Sequence, residues 1–357
     1  MADSRIFTPS QASASTTSGT DGSASPPVQT IVLQSAPGFW RSWFVRGLLV
    51  ALGCSVMFNI GLLNAYSEYM SAAEPPHERF HAGEATAADK IALLAVDGTI
   101  MPPFTERLLK QIERAGKDDS VKGVLLVVDS PGGLVADSHE IYHRLKQLSA
   151  KKPMFVQMKR MAASGGYYIS MGAGPQGRIF AEPTTWTGSI GVIIPRYDLS
   201  KLAEKYGVGS DPLKTGEFKD ALNPLRPMTD NERKLWENIL DQSYQKFIGV
   251  IDENRDTLDA AGVKALATGQ IFTADDAIGN KLIDEIGYEE DSLKALKAKL
   301  KLSDARVIKY EVPITLAEQL LGSAVKVHQP FDPIKTLLDS SVPRALYMCS
   351  WWAPLPE

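Results

Sequence analysis

The chain has 357 residues, 44% of them hydrophobic and 22% charged, with a net charge of −4. That is enough apolar material for one large core or two modest ones, and without a basic block it argues against a nucleic-acid partner. Two cysteines, Cys54 and Cys349, make no disulfide framework.

Residues 1–30 are rich in Ser, Thr, Ala and Gly, and the segment 1–46 is expected to be a disordered, cytoplasmic stretch. Between Arg46 and Glu68 lie twenty-one uncharged residues, GLLVALGCSVMFNIGLLNAYS. A helix of that length reaches about 30 Å, enough to cross a bilayer core. Arg41 and Arg46 precede it, with Trp40 and Trp43 placed for the interface, and Glu68, Glu74 and Glu78 follow. The positive-inside rule then puts the N-terminus in the cytoplasm and everything after residue 67 outside, with 47–67 as a transmembrane anchor. A signal peptide cleaved at Ser71-Ala72-Ala73 is the alternative, disfavoured by the length of the leader. Cys54 is expected to pack rather than carry a lipid, because Ala51-Leu52-Gly53 makes a poor lipoprotein signal.

Residues 68–88 read as a linker, and folded composition begins near residue 89. KIALLAVDG (90–98) and VKGVLLVVDS (121–130) are apolar runs ended by turn residues, with helical spacing at Leu108, Leu109 and Ile112 between them. Strand, helix and buried strand in that order predict a parallel sheet with crossovers. The alternation continues with a helix near 137–150, a strand at 153–158, a helix from 164, and strands at 177–181 and 188–194. A long helix is expected from about Asp230 to Asn254, opened by Thr229 and Glu232 as a capping box. The fold class is therefore α/β, a parallel sheet flanked by helices over 89–304, with a C-terminal tail at 305–357.

Four stretches could carry chemistry. His139-Glu140-Ile141-Tyr142-His143 has the H-E-x-x-H pattern of a zinc protease. On a helical wheel, however, Ser138, Ile141, Tyr142, Leu145 and Leu148 share one face, and His139 and His143 fall opposite, with Lys146 and Gln147. No third ligand stands at the expected spacing, Glu182 being a distant candidate only. In MAASGGYYIS (161–170), Ser164 sits where a strand should turn into a helix, so its hydroxyl is exposed to a ligand and the N–H of Gly165 could bind an oxyanion; a helix N-cap is the bland alternative. In VVDSPGG (127–133), Gly132 and Gly133 would stand at the carboxyl edge of the sheet, where open α/β sheets place ligands, or form a plain turn. A serine needs a base. Outside H-E-x-x-H the histidines lie in the linker (His77, His81) or the tail (His328), so lysine is the other choice, and LKTGEFKDALNP (213–224) offers Lys214 and Lys219. Spacing alone does not choose between them.

Taken together and in order, VDSPGG, MAASGGYYIS, TGSIGVI, LKTGEFKD and TGQIFTADDAIGNKLIDEIG resemble the bacterial signal peptide peptidase A (protease IV) family in its short, single-domain form. The likeness covers about residues 90 to 300. It implies a Clp-protease/crotonase-like fold and a Ser–Lys serine endopeptidase that needs no cofactor or metal. By the family's pattern Ser164 is the nucleophile, Lys219 the general base and Ser189 the group that orients the lysine. Gly165 and Gly133 would form the oxyanion hole, and Lys214 would be structural. The resemblance further implies a homo-oligomer with the dyad shared between subunits. Substrates would be released signal peptides and other apolar peptides, cleaved at the extracytoplasmic side of a bacterial cytoplasmic membrane. Asn280, where a Gly-Leu step is more usual, is a departure that touches no proposed catalytic atom. A degenerate, non-cleaving peptide-binding or scaffold member and an acyl-CoA-processing crotonase are alternatives; retention of Ser164, Lys219 and Ser189 speaks against both. The aromatic end of the tail, with Leu346, Tyr347, Trp351 and Trp352, is expected to pack on the domain or a neighbour rather than dock near the active groove.

Overall fold

The computed structural model describes residues 43–73, 76–311 and 345–348. The expectations for residues 1–42, for the tail at 312–344, and for Cys349, Trp351 and Trp352 fall outside the described residues. The chain forms two units, one ending at Leu62 and the other beginning at Leu63. The described residues of the first belong to helix α1 (Trp43–Ala73), whose stretch Val45–Leu63 is long and apolar enough to cross a membrane. Asn59, a polar residue deep inside that stretch, donates its amide to the Ser55 carbonyl one turn back at 2.7 Å, so the group is satisfied within the helix.

The second unit is a mixed, mostly parallel sheet between helices. Strands β1 (His77–Gly83), β2 (Lys90–Asp97), β3 (Val121–Ser130), β5 (Met154–Ala163), β6 (Ile179–Ala181), β9 (Glu285–Ile286) and β10 (Arg306–Glu311) lie in the order β1-β10-β2-β3-β5-β6-β9. All neighbours are parallel except β1 and β10. Strand β5 forks: its first half pairs with β6, and its last three residues pair with β7 (Trp186–Gly188), which in turn pairs antiparallel with β8 (Ile271–Thr273). A separate two-stranded sheet joins β4 (Gly132–Leu134) to β11 (Leu346–Met348).

The apolar runs of β2 and β3 are continuous because both faces of the sheet are covered. Alternate residues Ala92, Leu94, Val96, Val124, Leu126 and Val128 face one core with helices α2 (Phe104–Lys117), α3 (Val135–Ser149), α4 (Gly165–Ser170) and α6 (Asp230–Asn254). Ile91, Leu93, Leu125 and Val127 face the other, closed by Leu293 and Leu296 of α9 (Glu289–Leu300). Burying each of the valine, leucine and isoleucine side chains stabilises the fold by about 1.5–3 kcal/mol. Helix α6 opens with the expected capping box, Glu232 N–H donating to Thr229 Oγ1 and Thr229 N–H to Glu232 Oε2.

Three stretches depart from the sequence reading. The segment 68–88 is not a plain linker: α1 runs on to Ala73, and His77–Gly83 forms β1, paired from His77 opposite Glu311 to Gly83 opposite Arg306. Its charges looked like those of a solvated linker because β1 is an edge strand, where they form ion pairs, Arg79 with Glu311 at 2.7 Å and Glu78 with Lys90 at 2.8 Å. The start of the tail is likewise in the sheet, β10 lying between β1 and β2 with Val307, Ile308 and Tyr310 buried. Finally, the strand expected at 188–194 stops at Gly188. Gly188 and Ser189 both have positive φ, 84° and 48°, which turns the chain out of the sheet.

Candidate active site

The S-P-G-G stretch and the serine stretch end neighbouring strands, β3 and β5, so the parallel sheet brings both to one carboxyl edge. After Ser130 the chain turns through Pro131 into β4 and directly into α3. Gly132 has φ +100°, and its N–H donates to Ser130 Oγ at 3.1 Å. Its carbonyl accepts from Ile100 N–H at 2.9 Å, and the Ile100 carbonyl accepts from Leu134 N–H at the same distance. A Cβ on Gly133 would lie 2.0 Å from the Ile100 carbonyl oxygen, so no larger residue fits.

Ser164 joins β5 to α4 with φ 56° and ψ −112°. Its side chain makes no capping bond to the helix, which removes the N-cap alternative, and the residue is 1% exposed. The Ser164 N–H donates to the Gly188 carbonyl at 2.7 Å, tying the serine to the residue before Ser189. Ser189 in turn donates its N–H to the Gln270 carbonyl at 2.7 Å and is buried. Among the described residues, four non-glycine residues have positive φ. Lys301 caps α9, and Lys281 follows the end of helix α8 (Ala274–Gly279). Ser164 and Ser189 end no helix, and such backbone strain, about 1–3 kcal/mol each, persists where surrounding structure enforces it and clusters at functional sites.

Gly165 closes the group. A Cβ there would come within 3.0 Å of Gly132 Cα and of Gly133 N, and within 2.7 Å of Ser138 Oγ. Ser164, Gly165, Gly133 and Ser189 are therefore brought together. Ser189 also lines a cavity of about 310 Å³ with Ile190, Val192, Tyr244, Thr268 and Met348.

Lys219 stands apart. It lies in a short 3-10 turn, Glu217–Asp220, within the excursion between β7 and α6, and is exposed. Among the described residues its side chain has no hydrogen-bond or ion-pair partner, whereas Lys214 donates to Asp220 Oδ1 at 2.5 Å and to the Glu217 carbonyl at 3.2 Å. Asp220 also accepts from Arg226 at 2.9 Å, and Arg226 pairs with the buried Glu232 at the start of α6. The Arg226 guanidinium, by hydrogen bond and charge, holds the Glu232 carboxyl down to about 2 and Asp220 well below the usual carboxylate range. This network fixes the base of the excursion and leaves Lys219 free. The same excursion exposes Tyr197, Tyr206, Leu213 and Phe218.

The H-E-x-x-H residues serve α3. His143 is exposed and accepts from Gln147 at 2.9 Å. His139, expected on a solvated face with it, is instead half-buried, because α4 packs there and Tyr168 Oη lies 2.7 Å from His139 Nδ1. Burial, with the charges of Lys246 and His143, lowers the His139 pKa from its ordinary value. Among the described residues no group of three or more His, Cys, Asp and Glu is placed to hold a metal ion.

Two features of the site were not read from the sequence. One is Ile100, whose backbone clamps both glycines of S-P-G-G; nothing local marks it. The other is β11. Tyr347 stands opposite Gly133, the Leu346 backbone also pairs with Ile193, and the tail segment thus runs beside the candidate site. Tyr347 is fully buried, stacked on Tyr168 at 4.9 Å and donating to the Ser243 carbonyl at 2.8 Å. Residues 345–348 pack on the domain along the edge of β4, next to the candidate site, where the sequence reading had not placed the tail.

Comparison with known proteins bears on the same stretches. The chain matches the family model described as Peptidase family S49 over residues 146–303 and that described as Clp protease over residues 85–187. It is 38% identical over 255 residues, 68% of this chain and 73% of the other, to the protein of Enterococcus faecium named "Putative signal peptide peptidase SppA". It is 36% identical over 235 residues, 65% of this chain and 83% of the other, to "Putative protease slr0021" of a Synechocystis species. It is 34% identical over 210 residues to "Protease 4" of Haemophilus influenzae, covering 56% of this chain and 33% of that longer protein.

Proposed function

The chain belongs to peptidase family S49 and is a serine peptidase of Clp-protease-like fold, and from that premise we propose that it cleaves apolar peptides with Ser164 as nucleophile and Lys219 of a second copy as general base. The observation that carries this reading is a division of labour. Ser164, Ser189, Gly165 and Gly133 converge in one chain, while Lys219 is exposed on an excursion of its own, without a partner among the described residues. Assembly would bring a neighbour's lysine to Ser164, and the apolar side chains around Lys219 would be covered in the same step.

In the reaction, the neighbour's Lys219 amine takes the Ser164 proton as Oγ adds to the scissile carbonyl, with Ser189 Oγ accepting from the amine to fix its direction. The Gly165 N–H, with the Gly133 N–H once β11 leaves the edge of β4 where Tyr347 stands opposite it, holds the oxyanion, helped by the N-terminal ends of α4 and α3. Collapse of this intermediate returns the proton to the leaving amine and leaves an acyl group on Ser164. Water, activated by the same lysine, then releases it.

The helix stretch Val45–Leu63 would anchor the enzyme in the cytoplasmic membrane of a bacterium with the peptidase unit outside, within reach of released signal peptides. Of the proposed domain limits, the peptidase unit is best drawn from His77 to Glu311, the span of the main sheet. The test uses the full chain in detergent. Ser164→Ala and Lys219→Ala should each abolish hydrolysis of an apolar peptide ester, and mixing the two inactive proteins with subunit exchange should restore part of it. Silence of the mixture would refute the shared dyad, and loss of wild-type activity to a chelator, rescued by zinc, would refute the serine–lysine chemistry.

A further inference from the structure

The proposed site leaves one enclosed polar atom without a task. Ser138, on the buried face of α3, is 0% exposed, and among the described residues its hydroxyl has no hydrogen-bond partner. A serine inside a helix ordinarily meets this need by donating to the carbonyl one turn back. Ser170 does so to Gly166 at 2.8 Å, and Ser243 to Ile239 at 3.2 Å. Ser138 does not. An unmatched buried hydroxyl carries a free-energy penalty, and alanine would fill the same space with better helix propensity and no penalty.

The place of the hydroxyl gives it a use. Ser138 Oγ and Gly133 N both lie against the Cα of Gly165, 2.7 Å and 3.0 Å from the point where a Cβ would stand. The hydroxyl therefore packs against the glycine whose N–H is assigned to the oxyanion, next to the Gly133 N–H. It is held there, five residues beyond Gly133, by α3, which begins directly after the S-P-G-G strand. A hydroxyl on a helix side chain can also rotate to its acceptor without moving the backbone.

We infer that Ser138 is a third oxyanion donor, unpaired at rest because its partner exists only during the reaction. This rests on the serine-peptidase site proposed above. As Ser164 Oγ bonds to the carbonyl carbon and its proton passes to lysine, the carbonyl π pair moves onto oxygen. Ser138 donates a hydrogen bond to that oxygen and keeps its own proton throughout. When the C–N bond breaks, the carbonyl re-forms and the hydroxyl is unpaired again. An interaction made in the transition state and absent from the resting enzyme acts on kcat and leaves KM alone.

The experiment compares wild type with Ser138→Ala and Ser138→Cys in the full-length protein in detergent. For Ser138→Ala we expect kcat on a peptide ester to fall about 10- to 100-fold with KM unchanged. Affinity for a peptide aldehyde, which forms the tetrahedral adduct, should fall by a similar factor, and the melting temperature should hold or rise. Ser138→Cys, which keeps a weak donor, should fall between the two. A kcat for Ser138→Ala within about twofold of wild type overturns the inference. So does a fall in kcat that comes with a lower melting temperature or an unchanged aldehyde affinity, since packing alone would explain it. Ser164→Ala is run alongside: activity surviving there refutes the underlying site, whereas an inactive Ser164→Ala beside a fully active Ser138→Ala refutes this inference alone.

Discussion

Gly165→Ala separates the demands of the fold from those of the site. Gly165 is the first residue of α4 and is not among the positive-φ glycines, so alanine is compatible with its backbone. Helix propensity favours alanine by about 1 kcal/mol, and on that ground the variant should be as stable as the wild type or more so. The added Cβ, however, would stand 2.7 Å from Ser138 Oγ and 3.0 Å from Gly132 Cα and Gly133 N, where ordinary contact begins at 3.4 Å. The S-P-G-G backbone must retreat by about 0.4 Å, and it has little room, because Ile100 holds Gly132 and Leu134 at 2.9 Å on the far side. An oxyanion donor works within roughly 2.7–3.1 Å of the oxygen, so a shift of that size weakens Gly133 and tilts Gly165 together. Loss of one donor is worth about 10²–10³ in kcat, or about 2.7–4 kcal/mol. We expect kcat for a peptide ester to fall about 10²-fold, with melting within a few degrees of wild type and Ser164 still labelled, more slowly, by a fluorophosphonate. Wild-type kcat in Gly165→Ala would show that the two glycines do not form one oxyanion site, and the assignment would fail.

Other expectations follow from the surroundings of the site. Glu232 has its carboxyl pKa held to about 2 against an ordinary 4.5, so the stability it lends is present above 4.5 and drains away as pH falls toward about 2. Urea midpoints of wild type and Glu232→Gln should therefore differ most at neutral pH and converge below pH 3; parallel curves would rule this out. Tyr347→Ala removes a buried ring and its bond to Ser243, a loss of about 3–5 kcal/mol at that point. It should appear as faster hydrogen exchange at 345–348 with the core of β3 still protected; uniform loss of protection would mean that the strand is integral to the fold. His139→Ala and His143→Ala should keep activity within about threefold of wild type, because neither ring reaches the serine cluster. A collapse of activity in either folded variant would reopen the H-E-x-x-H reading.

How much of this was legible in the sequence depended on range. The central strands, α6 with its capping box and the buried face of α3 all follow from local periodicity, and the observed core residues of α3 are the five placed on its apolar face. The serine turn was legible because a strand-ending run, a serine and two glycines are contiguous. What failed was non-local. His77–Gly83 carries the composition of a linker and becomes a strand only because Arg306–Glu311, more than two hundred residues on, offers it an edge. TGSIGVI has strand composition, yet positive φ at Gly188 and Ser189 ends the strand, since the neighbouring serine turn needs the Gly188 carbonyl. His139 was misplaced by the helical wheel because α3 meets sheet and α4 on two sides, so its covered arc is wider than one apolar stripe.

The same distinction bears on the lysine. Two lysines five residues apart in one loop are equivalent to a reader of spacing; the fold makes them different. Asp220 is drawn toward both Arg226 and Lys214, and Arg226 in turn serves the buried Glu232, so Lys214 is spent in anchoring the excursion to α6. Lys219, one residue before that aspartate, is carried exposed on the same turn with no partner among the described residues. An exposed ammonium is a poor base in general; enclosure by apolar groups is what turns a lysine into one. The side chains able to enclose it, Leu213 and Phe218 with Tyr206 nearby in sequence, are exposed too. A second copy meeting this excursion with its Ser164 crevice would bury the apolar groups, desolvate the amine and complete the dyad in a single event. On this reading assembly and activation are the same step, and an isolated chain beside the membrane is an incomplete enzyme.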